Sequence, residues 1–375
     1  MIQRTILEQI KKTLFTGKTI LLYGPRQSGK TTLLEMLSNE IQDKVLILDC
    51  DEPDIRKELT DVTSSQLKQR IGNAKVVMID EAQRVKNIGI TLKLIHDKIK
   101  DVQLIATGSS SLELTGEINE PLTGRKYEFL LLPLSTQEII GYTNVTTEKR
   151  LLKQRLLFGM YPGVINEPEE ERKILNNLSG SYLYKDIFSF QDIRKPEIIE
   201  SLLEALALQI GSEVSYTELA NFLGIDQITV RRYIDLLEKS FVLFRLRSFS
   251  RNARNEIKKS RKIYFYDNGI RNALLSNFSD IDLRTDKGAL WENFIVSERY
   301  KLLNNHQIDS NSYFWRTTQQ QEIDYIEERD GVLSAFEFKW NAQAKKKVSL
   351  TFMKAYPNAI TAMINTSSYL DFITE

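Results

Sequence analysis

One octapeptide constrains this chain more than any other feature. Residues 19–23 (TILLY) form a short apolar run that stops at Gly24, the pattern of a buried parallel strand. Gly24, Pro25, Arg26, Gln27, Ser28, Gly29, Lys30 and Thr31 follow, in the pattern G-x-x-x-x-G-K-[ST]. A helical pattern then begins at Thr32. Glycines in such a loop let backbone N–H groups curl around phosphate oxygens. The helix N-terminus behind them adds positive potential. Lys30 is spaced to reach the β- and γ-phosphates, and the Thr31 hydroxyl to ligate Mg²⁺. The segment from Gly24 to Thr32 is thus predicted to bind ATP with Mg²⁺.

Further short apolar runs alternate with helical patterns, which predicts an α/β fold with a parallel sheet. Residues 44–49 read as a second strand and residues 75–79 as a third, ending in Asp80-Glu81. An apolar strand followed by Asp-Glu is the Walker B arrangement. Asp80 is then expected to hold the magnesium through water, and Glu81 to polarise the attacking water. Residues 102–106 read as a fourth strand, ending in Thr107, Gly108 and Ser109. For Ser109 two readings stay open, a contact with the terminal phosphate or a helix cap.

Together the P-loop, VVMIDEAQRV (76–85), LIATGSSSLEL (104–114) and LTGRKYEFLLLPLS (122–135) resemble a large prokaryotic family of AAA+ ATPases. Its members join the ATPase domain to a C-terminal region long of unknown function. The resemblance implies an AAA+ core over residues 1–145. It also implies that Arg125 lies near the nucleotide-binding face, in cis or across a subunit contact; the other reading is a surface arginine paired with a carboxylate. A helical lid over the nucleotide is expected at 146–205, where apolar residues recur near the 3.6 period.

Residues 206–270 read as a winged helix. Residues 216–223 form one short helix, Gly224-Ile225-Asp226 a turn, and residues 229–239 a second helix. Val230, Ile234 and Leu237 share its core face, leaving Gln227, Arg231 and Arg232 outward. Two β-like runs, 241–249 and 263–266, flank the basic link 251–262, which either meets phosphate or is a solvated loop.

Residues 285–375 resemble a PD-(D/E)xK nuclease-like domain. The resemblance rests on GALWENFI (288–295), EIDYI (322–326) and FEFKW (336–340). The residues support it independently. Asp330-Gly331 predicts a two-residue hairpin turn. Counting back from Arg329 opposite Val332 sets Asp324 against Glu337 and Glu322 against Lys339. Asp324, Glu337 and Lys339 then share one face, with Tyr325, Phe336, Phe338 and Trp340 on the other. Opposed carboxylates repel unless a cation lies between them, which makes Asp324 and Glu337 expected Mg²⁺ ligands. Glu292 is a further candidate ligand, and Lys339 a candidate to activate water in phosphodiester cleavage. Against this stands an exposed hairpin face where Lys339 only pairs with Glu322 and Glu337.

Bulk properties narrow the classes. At 375 residues the chain calls for more than one domain. Its net charge of +1 excludes a basic nucleic-acid wrapper, so DNA contact has to be local. The single cysteine, Cys50, excludes an internal disulfide framework and fits the cytoplasm. His96 and His306 lie too far apart in sequence to suggest a zinc site. No apolar run is long enough for a membrane span, and the N-terminal residues lack a secretory pattern. Two functions remain. One is an ATPase coupling nucleotide state to DNA cleavage by the C-terminal domain. The other is a nucleotide-dependent switch that binds DNA or a protein, or pairs with its own copies, and cuts nothing.

Overall fold

The computed structural model describes residues 1–109, 122–182, 187, 195–250, 261–317, 319–344 and 348–375. Ser110, Ser111 and residues 251–260 of the basic link lie outside these residues. The first sheet has five parallel strands in the order β2-β3-β4-β1-β5. They are β1 (Thr19–Tyr23), β2 (Val45–Asp49), β3 (Val76–Asp80), β4 (Gln103–Gly108) and β5 (Lys126–Leu130). The inner strands β1, β3 and β4 are buried along their whole length, which is why they read as unbroken apolar runs. β2 and β5 lie at the edges and are only partly covered.

The middle of the chain is helical, as expected, with helices Val145–Phe158, Pro162–Asn166 and Glu171–Asn177. The expected pair of short helices spans Tyr216–Leu223 and Gln227–Lys239. Gly224 at φ 65° ends the first. Asp226 caps the second by accepting from Thr229 N at 2.9 Å. Val230, Ile234 and Leu237 are buried, and Gln227, Arg231 and Arg232 are exposed.

The second sheet departs from the sequence reading. Seven strands run in the order β12-β11-β10-β9-β7-β8-β6. β6 (Glu213–Val214), β7 (Leu243–Ser248) and β8 (Arg261–Phe265) come from the segment read as a winged helix. β9 (Asn311–Arg316), β10 (Glu322–Arg329), β11 (Val332–Lys339) and β12 (Ile360–Asn365) come from the segment read as nuclease-like. β7 and β9 join the two in parallel through Arg247↔Tyr313 and Ser248↔Phe314. The boundary drawn between 270 and 285 is therefore not a boundary of the sheet. A parallel pairing between strands so distant in the chain leaves no local trace in sequence.

Helix Lys287–Asn305 ties this sheet to the first. Near its C-terminal end, Glu298 Oε2 accepts from Thr136 N at 2.6 Å, and Asn304 Nδ2 donates to Leu130 O at 2.8 Å. Lys301 Nζ donates to Leu134 O at 3.0 Å and pairs with Glu298 at 2.7 Å, both side chains being buried. Toward its N-terminal end, Asn293 exchanges hydrogen bonds with the backbone of Phe265 in β8. A single apolar cluster runs from Leu21 and Leu104 through Phe244 and Trp291 to Phe338.

Candidate functional sites

The octapeptide leaves the C-terminal end of β1 and enters helix Lys30–Glu40. Gly24 has φ 155°, and a Cβ there would overlap the Leu131 carbonyl oxygen, so only glycine fits. Gln27 and Gly29 also have positive φ, 59° and 96°. Lys30 is buried, and its Nζ donates to the carbonyls of Gly24 at 3.0 Å and Pro25 at 3.1 Å. The ammonium thus lies across the mouth of the loop. Ser28 Oγ is buried in the loop with no hydrogen-bond partner. Pro25 and Arg26 line a cavity together with Tyr161, Phe241 and Tyr266 from later in the chain.

The third strand delivers Asp80 to the same place. Thr31 Oγ1 donates to Asp80 Oδ2 at 2.6 Å, and Thr107 Oγ1 at the end of β4 donates to Asp80 Oδ1. Thr107 Oγ1 also accepts from Glu81 N at 3.1 Å. Glu81 sits in the left-handed region at φ 50°. Gln83 Nε2 ties its carboxylate, at 2.6 Å, to Ser109 Oγ, at 3.2 Å. Lys30, Thr31, Asp80, Glu81 and Ser109 thereby converge from three segments on one end of the sheet. The cradle only glycine permits, the unpartnered Ser28 hydroxyl and the Thr31–Asp80 oxygen pair fit a magnesium triphosphate. Thr32 follows in the first helical turn, half-buried.

Sequence reasoning did not single out Arg4, Gln83 or Thr107 as a bond between Asp80 and Glu81. Arg4 precedes the first helix and is buried. Its guanidinium donates to Ser28 O at 2.7 Å, Leu132 O at 2.6 Å and Glu138 Oε1 at 3.1 Å. It therefore ties the octapeptide to the start of helix Thr136–Tyr142, far along the chain. Only the fold brings those three acceptors together.

The second site lies on the seven-stranded sheet. The Asp330-Gly331 turn forms, and β10 pairs β11 from Arg329↔Val332 to Tyr325↔Phe336, the expected register. Asp324 Oδ2 accepts from Phe338 N at 2.8 Å. Lys339 Nζ lies 3.4 Å from Glu337 and 3.8 Å from Asp324, so these three do share a face. Glu322 does not face Lys339 as a partner. It pairs with Lys262 of β8, which also holds Glu292 at 2.9 Å. Tyr264 OH donates to the same Glu292 oxygen at 2.6 Å.

Lys262 was expected in a basic link, yet it is 2% exposed and enclosed by acids. Burial works to lower its pKa, but Glu292, Glu322 and Asp324 outweigh burial and raise it. Burial and the adjacent Asp324 push the Glu337 carboxyl up to about 7, against the pull of Lys339. Among the described residues no three His, Cys, Asp or Glu side chains gather to hold a metal ion. Glu292, Asp324 and Glu337, the expected Mg²⁺ ligands, are each paired with a lysine ammonium. Two lysine ammoniums, Lys262 and Lys339, lie among these acids and pair with them.

Models of known domains match three stretches of the chain. An AAA domain model matches residues 16–140. Models of two domains of unknown function match residues 149–281 (DUF8612) and 287–370 (DUF4143). An uncharacterized protein of Mycobacterium tuberculosis, Rv2008c, is 27% identical over 342 residues, covering 90% of this chain and 74% of its own. Another from Methanocaldococcus jannaschii, MJ1544, is 24% identical, covering 86% and 75%. Among solved structures, the Walker-type ATPase PABY2304 of Pyrococcus abyssi superposes with a TM-score of 0.51 at 17% identity. It covers 73% of this chain and 96% of its own. The N-terminal domain is that of a P-loop AAA-family ATPase.

Within this AAA domain Arg125 lies elsewhere than the resemblance implied. It immediately precedes β5, which runs parallel to β1 with Lys126 opposite Thr19. The P-loop leaves the other end of β1, about 16 Å away for a five-residue strand. Arg125 instead pairs with Asp97 at 3.2 Å. That distance corrects the in-cis reading, and a role across a subunit contact would need a second copy. The models meet between residues 281 and 287, although the seven-stranded sheet runs across that point. No helix among the described residues is long and apolar enough to cross a membrane.

Proposed function

We propose that this protein is a cytoplasmic, ATP-hydrolysing switch whose second half binds DNA in one nucleotide state and does not cut it. The convergence of Lys30, Thr31, Asp80 and Thr107 carries the first part. Lys30 exchanges the loop carbonyls for phosphate oxygens when ATP enters. Thr31 and Asp80 would hold the metal, and Mg²⁺ would supply charge neutralisation at the phosphates. Glu81, oriented by Thr107 and Gln83, accepts a proton from the attacking water.

The shared cavity supports coupling to the second half. Pro25 and Arg26 face Phe241 and Val242, which directly follow helix Gln227–Lys239. A change in loop conformation there presses on the end of that helix. Its exposed Gln227, Arg231 and Arg232 suit a DNA groove. One observation favours a protein partner instead. Phe222 and Ile228, on the same helix pair, are 72% and 81% exposed.

The test incubates wild type and Lys30→Ala with ATP, Mg²⁺ and labelled duplex, scoring phosphate release, anisotropy and strand scission. Lys30→Ala should lower phosphate release by about 10²–10³-fold. Duplex binding should differ between a non-hydrolysable ATP analogue and ADP, weaken in Arg231→Ala/Arg232→Ala, and leave strands intact. Nucleotide-independent anisotropy would reject the DNA reading in favour of a protein partner. Equal phosphate release by Lys30→Ala would reject the ATPase itself.

A further inference from the structure

We propose that Lys262 is the resident cation of the C-terminal acidic cluster and excludes divalent metal from it. The fold family implied by the sequence would place a metal among Glu292, Asp324 and Glu337. The side chains present are arranged for something else. Lys262 Nζ bridges Glu292 and Glu322, one from helix Lys287–Asn305 and one from β10. It arrives from β8, a strand outside the segment that supplies the acids, because β7 joins both halves of the sheet.

Three observations make this a built arrangement. The ammonium is buried, so it cannot exchange with bulk cations without movement of the strand. The ammonium also stands 5.6 Å from the centre of the Phe314 ring, within reach of a cation–π contact. Glu292 is held a second time, by Tyr264 OH from the same strand. A metal needs several oxygen ligands turned toward one point, and here Glu292 Oε1 is turned toward two donors on β8. The remaining acids, Asp324 and Glu337, are bridged by Lys339, and Asp324 Oδ2 is occupied by Phe338 N. An ammonium supplies one charge without a coordination shell. It satisfies paired carboxylates but cannot act as a Lewis acid.

The test titrates Mn²⁺ into the full-length, nucleotide-free protein by calorimetry, with electron paramagnetic resonance counting bound ions. Wild type and Glu292→Gln should give coincident isotherms. Lys262→Met should bind one further Mn²⁺ per chain, and Lys262→Met/Glu292→Gln should lose it. A wild-type ion that disappears in Glu292→Gln overturns the proposal, and so does a folded Lys262→Met that gains none. If Lys262→Met does not fold, the wild-type and Glu292→Gln pair decides alone. The outcome is independent of the P-loop, since no nucleotide is present and Lys30 is unaltered throughout.

Discussion

The P-loop and the C-terminal cluster pair cations with oxygens in opposite ways. At the P-loop the protein's own cation, Lys30, donates to two neutral carbonyls. The carboxylate there, Asp80, accepts from the Thr31 and Thr107 hydroxyls and from Glu81 N. At the C-terminal cluster both lysines rest on carboxylates, and Lys262 is sealed in by the sheet. The first arrangement favours an incoming anion with its own metal. The second already holds its own cations, Lys262 and Lys339, among its carboxylates and favours staying closed. Acidic residues on a strand therefore do not define a metal site until the cations around them are known.

The largest expected effect on this comparison comes from Arg4. Arg4→Ala leaves Glu138 buried without its ion pair and releases Ser28 O from its donor. Breaking a buried pair in this way costs about 3–5 kcal/mol. Urea denaturation should show a loss of that order. Arg4→Lys, which keeps charge but not the three-way fork, should recover only part of it. If Arg4→Ala unfolds at the wild-type midpoint, the P-loop is not braced from outside.

A smaller effect is expected from Glu337 and sharpens the view that the cluster is poised by its own charges. Folding raises its pKa to about 7, so between the ordinary carboxylate range and pH 7 the folded chain holds a proton the unfolded one has lost. That contribution is complete at low pH and is lost as pH rises through 7. Glu337→Gln stays neutral and should escape the loss. At pH 8 it should be more stable than wild type by about 1–2 kcal/mol, since the group is partly screened by solvent. Melting temperatures from pH 5 to 8 check this, and parallel curves for the two proteins would refute it.

The smallest effect is expected from Arg125. Paired with Asp97 at the far end of the sheet and partly exposed, it touches nothing at the nucleotide end. In dilute protein Arg125→Ala should keep phosphate release within about twofold of wild type, as for a surface ion pair. A loss that grows with protein concentration would assign Arg125 to the site of a neighbouring copy.

The sequence determined whatever depends on neighbours in the chain. The P-loop, the buried strands β1, β3 and β4, the Asp226 cap and the Asp330-Gly331 turn all rest on local backbone geometry and burial period. The shared face of Asp324, Glu337 and Lys339 followed from the hairpin register alone. Tertiary structure decided which distant groups share a charge. It placed Arg4 under the P-loop, moved Arg125 to the opposite end of the sheet and carried Lys262 into the cluster through the β7–β9 pairing. Electrostatic partnership depends on distance in space, and a parallel pairing between strands far apart in the chain has no periodicity that a reading of residues in order can detect.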